Sequence, residues 1–155
     1  MNRNALIACI QLNLLRRPLL RVQTVQDCLA KTRDEVNAMI ESGELPFAFD
    51  LSAKPATRKE LRIFTLCVAE KTGWKNPAGQ TKNYQLSEVI RAILPQRDVR
   101  STELRNLFAC SCDHIYQLAD NLKVTRKPAA TGGPNSYTVF HRASVETFLA
   151  QRRIV

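Results

Sequence analysis

The side chains best able to do chemistry lie close together at Cys110, Cys112 and His114. Thiolate and imidazole groups are zinc ligands. Structural zinc sites generally use two pairs of closely spaced ligands, and this C-x-C pair has no second pair nearby. The spacing is more typical of small residues at a turn between two helices, and we expect neither a metal nor another cofactor.

The two histidines, His114 and His141, fall in different predicted elements, and the sequence gives neither of them an evident acid or nucleophile partner. Glycine accounts for only 5 of 155 residues, and no glycine-rich loop that could hold a phosphate is present. The sequence therefore predicts a protein that is not an enzyme.

Basic residues exceed acidic ones throughout the chain, with 23 Lys and Arg against 14 Asp and Glu, for a net charge of +9. Residues 1–80 and residues 97–155 each have an excess of four basic side chains. The charge therefore belongs to folded segments rather than to a tail. Nucleic acid and anionic membrane are the usual partners of such a charge.

The sequence does not favour a membrane partner. Its longest apolar run, residues 5–10, is much shorter than the roughly 20 residues that a bilayer requires. We also find no basic amphipathic helix or lipidation site. The five cysteines are an odd number with no signal peptide, which favours a reduced, cytoplasmic location over a disulfide framework.

The elements that position these residues follow from hydrophobic periodicity, capping residues and turn residues. Thr57-x-x-Glu60 is a capping-box pattern, and the apolar residues after it favour a helix through Leu61 and Phe64. The predicted helices cover about residues 5–15, 22–30, 32–42, 57–69, 86–93, 101–108, 111–119 and 143–152. The predicted strands cover about residues 47–51, 123–130 and 136–141.

The two halves of the chain repeat the same order of elements. A shift of 79 residues places Val25 on Leu104, Thr32 on Ser111 and Val36 on Ile115, and seven positions agree in character. We predict a first unit over residues 1–72, a linker over 73–84 and a second unit over 85–155. The first unit has a reduced wing, because no clear strand returns after residues 47–51.

A helix, a tight turn, a Ser- or Thr-capped second helix and a β-hairpin resemble the winged helix-turn-helix plan. Residues 40–46, IESGELP, look like the exit of the recognition helix in the excisionase and MerR-like family. Residues 136–142 and 144–149 are similar to the second wing strand and closing helix of that family. The resemblance implies a mainly α fold with small β-hairpin wings, arranged as two tandem winged helix-turn-helix units.

The same resemblance implies sequence-specific binding to double-stranded DNA, by a transcriptional regulator or an excisionase-like architectural factor. Gln117 or Asn121 could read adenine, and Lys123 could neutralise phosphate. In the first unit, acidic residues on the corresponding helix disfavour close approach to phosphate. The predicted DNA-binding residues are Arg33, Asn37, Ser111, Asp113, His114, Tyr116, Gln117, Asn121, Lys123, Arg126, Lys127 and Arg142.

A second interpretation remains open, since winged helices also serve as protein–protein adaptors or oligomerisation modules. The first unit could have lost DNA contact and mediate self-association as a homodimer. Neither interpretation requires a small-molecule ligand.

Overall fold

The computed structural model describes residues 17–53, 59–77, 79–128 and 136–154. The helix predicted over residues 5–15 and the Thr57 capping position lie outside these residues. The described chain is a mixed α/β fold with seven α-helices and two three-stranded antiparallel sheets. The expected combination of helices and small β-hairpins is confirmed in this form.

The first half contains three helices and one sheet, whose strands lie in the order β1-β3-β2. Leu20 of the first strand and Ala48 of the second both pair with Ile63 of the third, which therefore occupies the centre. The elements are β1 (Leu19–Arg21), α1 (Val22–Leu29), α2 (Arg33–Glu41), β2 (Ala48–Asp50), β3 (Leu61–Phe64) and α3 (Thr65–Lys71).

The second half has the same plan, with an additional helix before it and strands in the order β4-β6-β5. Val99 and Val124 both pair with Phe140, so the last strand again lies at the centre. The elements are α4 (Leu86–Ile93), β4 (Val99–Arg100), α5 (Ser101–Leu107), α6 (Cys112–Leu118), β5 (Val124–Pro128), β6 (Ser136–Phe140) and α7 (Arg142–Arg152).

The 79-residue repeat is clearest in the turn between the first two helices of each half. Ala30 has φ 52° and Ala109 has φ 49°, and these are the non-glycine residues with positive φ in the described chain. After each alanine, the next residue donates its N–H to the carbonyl five residues earlier, at 3.1 and 3.0 Å. The two turns therefore have the same backbone conformation at equivalent positions.

The second helix of each half begins with the predicted cap. Thr32 Oγ1 accepts from the Glu35 N–H at 3.2 Å, and Ser111 Oγ accepts from the His114 N–H at 3.2 Å. In the first half the bond is reciprocal, because the Thr32 N–H donates to Glu35 at 2.7 Å. The N–H and hydroxyl groups of Thr32 lower the pKa of Glu35.

One predicted helix is wrong. Residues 61–64 form strand β3, and the helix begins only at Thr65. Residues Leu61, Phe64 and Val68 have helical spacing, but the strands on both sides satisfy the backbone of β3, and this pairing overrides the local pattern. The expectation that no strand returns after residues 47–51 is wrong for the same reason.

The segment predicted as a linker packs against the first half. Thr81 is buried, and both its N–H and its hydroxyl donate to the Glu70 carboxylate, at 2.8 and 2.7 Å. Trp74 is half-buried and lines a cavity of about 590 Å³ beside Pro46 and Glu70. The side chains of this segment therefore contribute to tertiary packing.

The two halves share one hydrophobic core. Beyond α7, Arg153 forms a β-bridge with Phe49, and the Ile154 N–H donates to the Ala48 carbonyl at 2.9 Å. The Arg153 guanidinium also lies 4.5 Å from the ring centroid of Phe47. The end of the second half is thus joined to the sheet of the first.

Candidate nucleic-acid interface

Helix α6 directs three of the predicted residues outwards. Asp113, Tyr116 and Gln117 are exposed, and their spacing of three and four residues places them on one face of the helix. Tyr116 is 55% exposed, an unusual value for a large aromatic side chain in this structure. Lys123, just before β5, is also exposed. This outer face of α6 is free to contact a partner.

Two other predicted residues point into the junction between the halves. His114 Nε2 lies 2.6 Å from the Leu51 carbonyl oxygen. Because a carbonyl can only accept, this nitrogen carries the proton. Asn121 Nδ2 donates to the Ala53 carbonyl at 3.0 Å. These side chains fix α6 against the hairpin of the first half.

Arg142 is engaged within the second half. Its Nε donates to the Pro95 carbonyl at 2.8 Å, and its Nη1 lies 2.9 Å from a Glu146 oxygen. Its backbone N–H donates to Asp98 at 2.9 Å. The Arg142 guanidinium therefore lies between α7 and the residues that precede β4.

The two wing cations, Arg126 and Lys127, lie in strand β5. Their side chains lie outside the described part of the structure. The backbone of β5 pairs with β6 along five residues, so a hairpin follows α6 as predicted.

Residues Arg33 and Asn37 lie on α2, the counterpart of α6 in the first half. Arg33 is exposed, and Asn37 is half-buried with an Oδ1 that accepts no hydrogen bond from the described residues. Both line a cavity of about 310 Å³ with Lys59 and Ile154. The cavity therefore lies between α2 and the residue Ile154 that follows α7.

A third cavity, of about 300 Å³, brings together residues from both halves, and we call it the junction groove. Three of its residues belong to the predicted set, and they come from the starts of both α2 and α6. The charged and polar side chains that line it include Arg21, Arg33, Lys59, Glu60, Arg62, Ser111 and His114. The starts of both second helices thus line one groove.

Sequence reasoning missed Arg62. Its side chain is buried, with Nε donating to the Phe108 carbonyl at 2.8 Å and Nη2 to the Ala109 carbonyl at 3.1 Å. Arg21, its cross-strand partner, also donates to Ala109, at 2.8 Å. A charged residue within the apolar stretch 61–64 was the available signal, because a buried arginine needs carbonyl or carboxylate partners.

The cysteines have different surroundings. Burial raises the pKa of the Cys67 thiol to about 11 and raises that of Cys110, so both stay neutral at physiological pH. Cys112 is exposed, and Arg105 Nη1 lies 2.9 Å from its sulfur. Within the described ranges, no group of three Cys, His, Asp or Glu side chains is placed to hold a metal ion.

His141 forms an Asp–His–Thr arrangement near the start of α7. Its Nε2 lies 2.6 Å from Thr125 Oγ1, and its Nδ1 lies 3.9 Å from an Asp98 oxygen. The side chains of His141 and Asp98 are 45% and 48% exposed. The neighbouring cavity of about 470 Å³ is lined by His141 but not by Thr125. This arrangement ties the wing to α7 and presents no enclosed substrate site.

The described surface thus offers an outward helix face with polar side chains and a groove lined by basic side chains. Among the described residues, every helix is too short or too polar to cross a bilayer. The chain matches no protein-family model, no curated protein and no solved structure.

Proposed function

We propose that the chain binds double-stranded DNA through two winged helix-turn-helix units, as a transcriptional regulator or an excisionase-like architectural factor. The observation that carries this proposal is the outer face of α6, a capped second helix followed directly by a β-hairpin. In a winged helix-turn-helix protein this helix enters the major groove. The +9 charge supplies the general attraction to phosphate.

The outer face of α6 has side chains suited to base reading. Gln117 can form a bidentate pair with adenine, and Asp113 can accept from cytosine N4. Lys123, together with Arg126 and Lys127 of β5, would neutralise phosphates at the edge of the groove. His114 and Asn121 would act indirectly, by holding α6 in position.

The placement of the two second helices favours one continuous DNA surface. Arg33 at the start of α2 and Ser111 at the start of α6 line the same groove of about 300 Å³. Successive major grooves on one face of a duplex are roughly 34 Å apart. We therefore propose that α6 reads the DNA and that α2 lies at the margin of the same contact.

The test is fluorescence anisotropy with random duplexes between 50 and 200 mM salt. We expect affinity to fall steeply with salt, and Arg126→Ala with Lys127→Ala to weaken binding and reduce the log–log slope by about 2. Gln117→Ala should relax sequence preference at one base position in a selected site. The matched control is Lys82→Ala, since Lys82 is exposed and lies on a short 3₁₀ helix away from α6.

Binding that stays at background in low salt would contradict the proposal. An unbent duplex, measured by circular permutation of the bound site, would contradict the architectural role, because an architectural factor must deform its duplex.

One observation favours a second candidate, a protein–protein adaptor. His114 on α6 and Asn121 just after this helix already form a contact between the two halves of the protein. An adaptor would leave the exposed Tyr116 as the anchor for a protein partner, since tyrosine is enriched at such interfaces. The duplex titration separates the two candidates, because an adaptor has no salt-dependent affinity for DNA.

A further inference from the structure

We propose that the junction groove is a binding site for a phosphate group, supplied either by the backbone of a duplex or by a free phosphate compound. The groove lies between the halves and includes Arg21 and Lys59, which the contact through α6 does not use. With a duplex as the source, the inference rests on the proposed function. With a free phosphate compound as the source, the inference does not depend on the proposed function.

The junction groove carries an excess of positive charge. Four basic side chains line the groove against one carboxylate, Glu60, and that carboxylate lies 3.5 Å from Arg62. Among the described residues, Arg33 and Lys59 form no ion pair with a carboxylate. Like charges around a concave surface repel one another and concentrate a positive potential there. A bound anion relieves this repulsion.

Two arginine side chains of the groove are held in fixed positions. Arg21 and Arg62 are held in place, because each donates its Nε to a carbonyl of the turn before α6, at 2.8 Å. Arginine binds phosphate well through its planar fork of donors, and a fork that is already fixed loses little entropy on binding. The remaining donors of Arg21 can therefore meet an anion in a prepared position.

The polar wall of the groove completes the site. Ser111 accepts from the His114 N–H, which leaves its own hydroxyl hydrogen to donate. Lys59 and Arg33 are exposed at the rim, where flexible cations can close over an anion. A volume of about 300 Å³ lies at the lower end of the range for small-molecule sites, which suits a phosphate or pyrophosphate group.

The experiment uses the full chain and two probes. Inorganic pyrophosphate is titrated by calorimetry at low salt, and a random duplex is titrated by anisotropy in the same buffer. The double variant Arg33→Gln with Lys59→Gln should weaken binding of at least one probe about tenfold, since each charge-assisted contact is strong. The control is Lys82→Gln with Arg91→Gln, which removes the same charge from exposed positions that do not line the groove.

Each pattern of results has one meaning. Loss of pyrophosphate binding in the groove variant, with the control unchanged, supports a site for free phosphate even if no duplex binds. Loss of duplex binding alone supports the DNA backbone as the source. If the groove and control variants have equal affinities for both probes, or if the wild-type chain binds neither probe, the proposal is overturned. Circular dichroism of both variants shows that they fold, as expected for exposed positions.

Discussion

At the scale of single residues, Arg62 joins the two halves. Its buried guanidinium donates to carbonyls at Phe108 and Ala109, which are positioned by the second half. In a third bond, Nη1 donates to the Leu61 carbonyl at 2.8 Å. The arginine therefore supplies a charged donor to the Phe108 carbonyl and shares the Ala109 carbonyl with Arg21.

Replacement of this side chain should be costly. Arg62→Met keeps much of the aliphatic volume but removes the charged donor to the Phe108 carbonyl and leaves Ala109 with Arg21 alone, so we expect the free energy of unfolding to fall by about 3 kcal/mol. Urea denaturation followed by circular dichroism measures the change. Arg91→Met, at an exposed position on α4, should change it by no more than about 0.5 kcal/mol. Equal changes in the free energy of unfolding for the two variants would show that the buried hydrogen bonds of Arg62 do not stabilise the fold.

At the scale of elements, the turn between helices carries local strain in both halves. The alanines at residues 30 and 109 have left-handed backbone conformations, which cost an L-residue roughly 1–2 kcal/mol. Glycine adopts this conformation readily and is the usual residue at the equivalent helix end. The turn of each half is therefore built from a residue that is not the most stable choice.

Glycine substitution tests this point. We expect Ala30→Gly and Ala109→Gly each to raise the free energy of unfolding by about 0.5–1 kcal/mol, because relief of strain exceeds the greater entropy of unfolded glycine. Ala38→Gly, at an exposed position inside α2, should lower it by about 1 kcal/mol. Thermal unfolding of the three variants measures the expected gain in stability at Ala30 and Ala109 and the expected loss at Ala38. A loss of stability at all three positions would contradict the strain argument.

The elements also show how far the sequence predicts the fold. Helices such as α2 and α6 follow from an apolar stripe and a Ser or Thr cap, since these signals are local. Strand β3 was misread because Leu61 and Phe64 fit a helical spacing equally well. Its strand conformation depends on pairing with Arg21 and Asp50, which are distant in sequence.

Part of the candidate site can be predicted from the sequence, and the rest depends on the packing of the two halves. The exposure of Tyr116 and Gln117 follows from their position opposite the buried Ile115 and Leu118 on one short helix. The contacts of His114 and Asn121 could not be predicted, because they depend on how the two halves pack together. The junction groove depends on that packing too, so its residues are recognisable only in the assembled fold.

At the scale of the whole molecule, the shared core implies that the halves unfold together. Leu104 is fully buried in the second half, whereas Trp74 lines a cavity beside the first half and is the single tryptophan of the chain. Tryptophan fluorescence therefore reports on the first half, and far-ultraviolet circular dichroism reports on all helices.

Leu104→Ala should lower the unfolding midpoint equally in both signals, and the free energy of unfolding should fall by about 2–5 kcal/mol. Coincident transitions are the mark of a single cooperative unit. The control is Val25→Ala, the equivalent buried position in the first half, which should also shift both signals together. A fluorescence midpoint that Leu104→Ala leaves unchanged would mean that the halves unfold independently.

The bridge between Arg153 and Phe49 has a consequence for the order of folding. The nearby bond from Arg152 to the Ser52 carbonyl joins residues that are 100 positions apart in the chain. Closing so long a loop costs more entropy than forming a turn such as that at Ala30, so the local helix pairs should assemble early and this seam last. A chain caught before that final step would expose the outer edge of β2, and an unpaired strand edge is where one molecule can begin to aggregate with another.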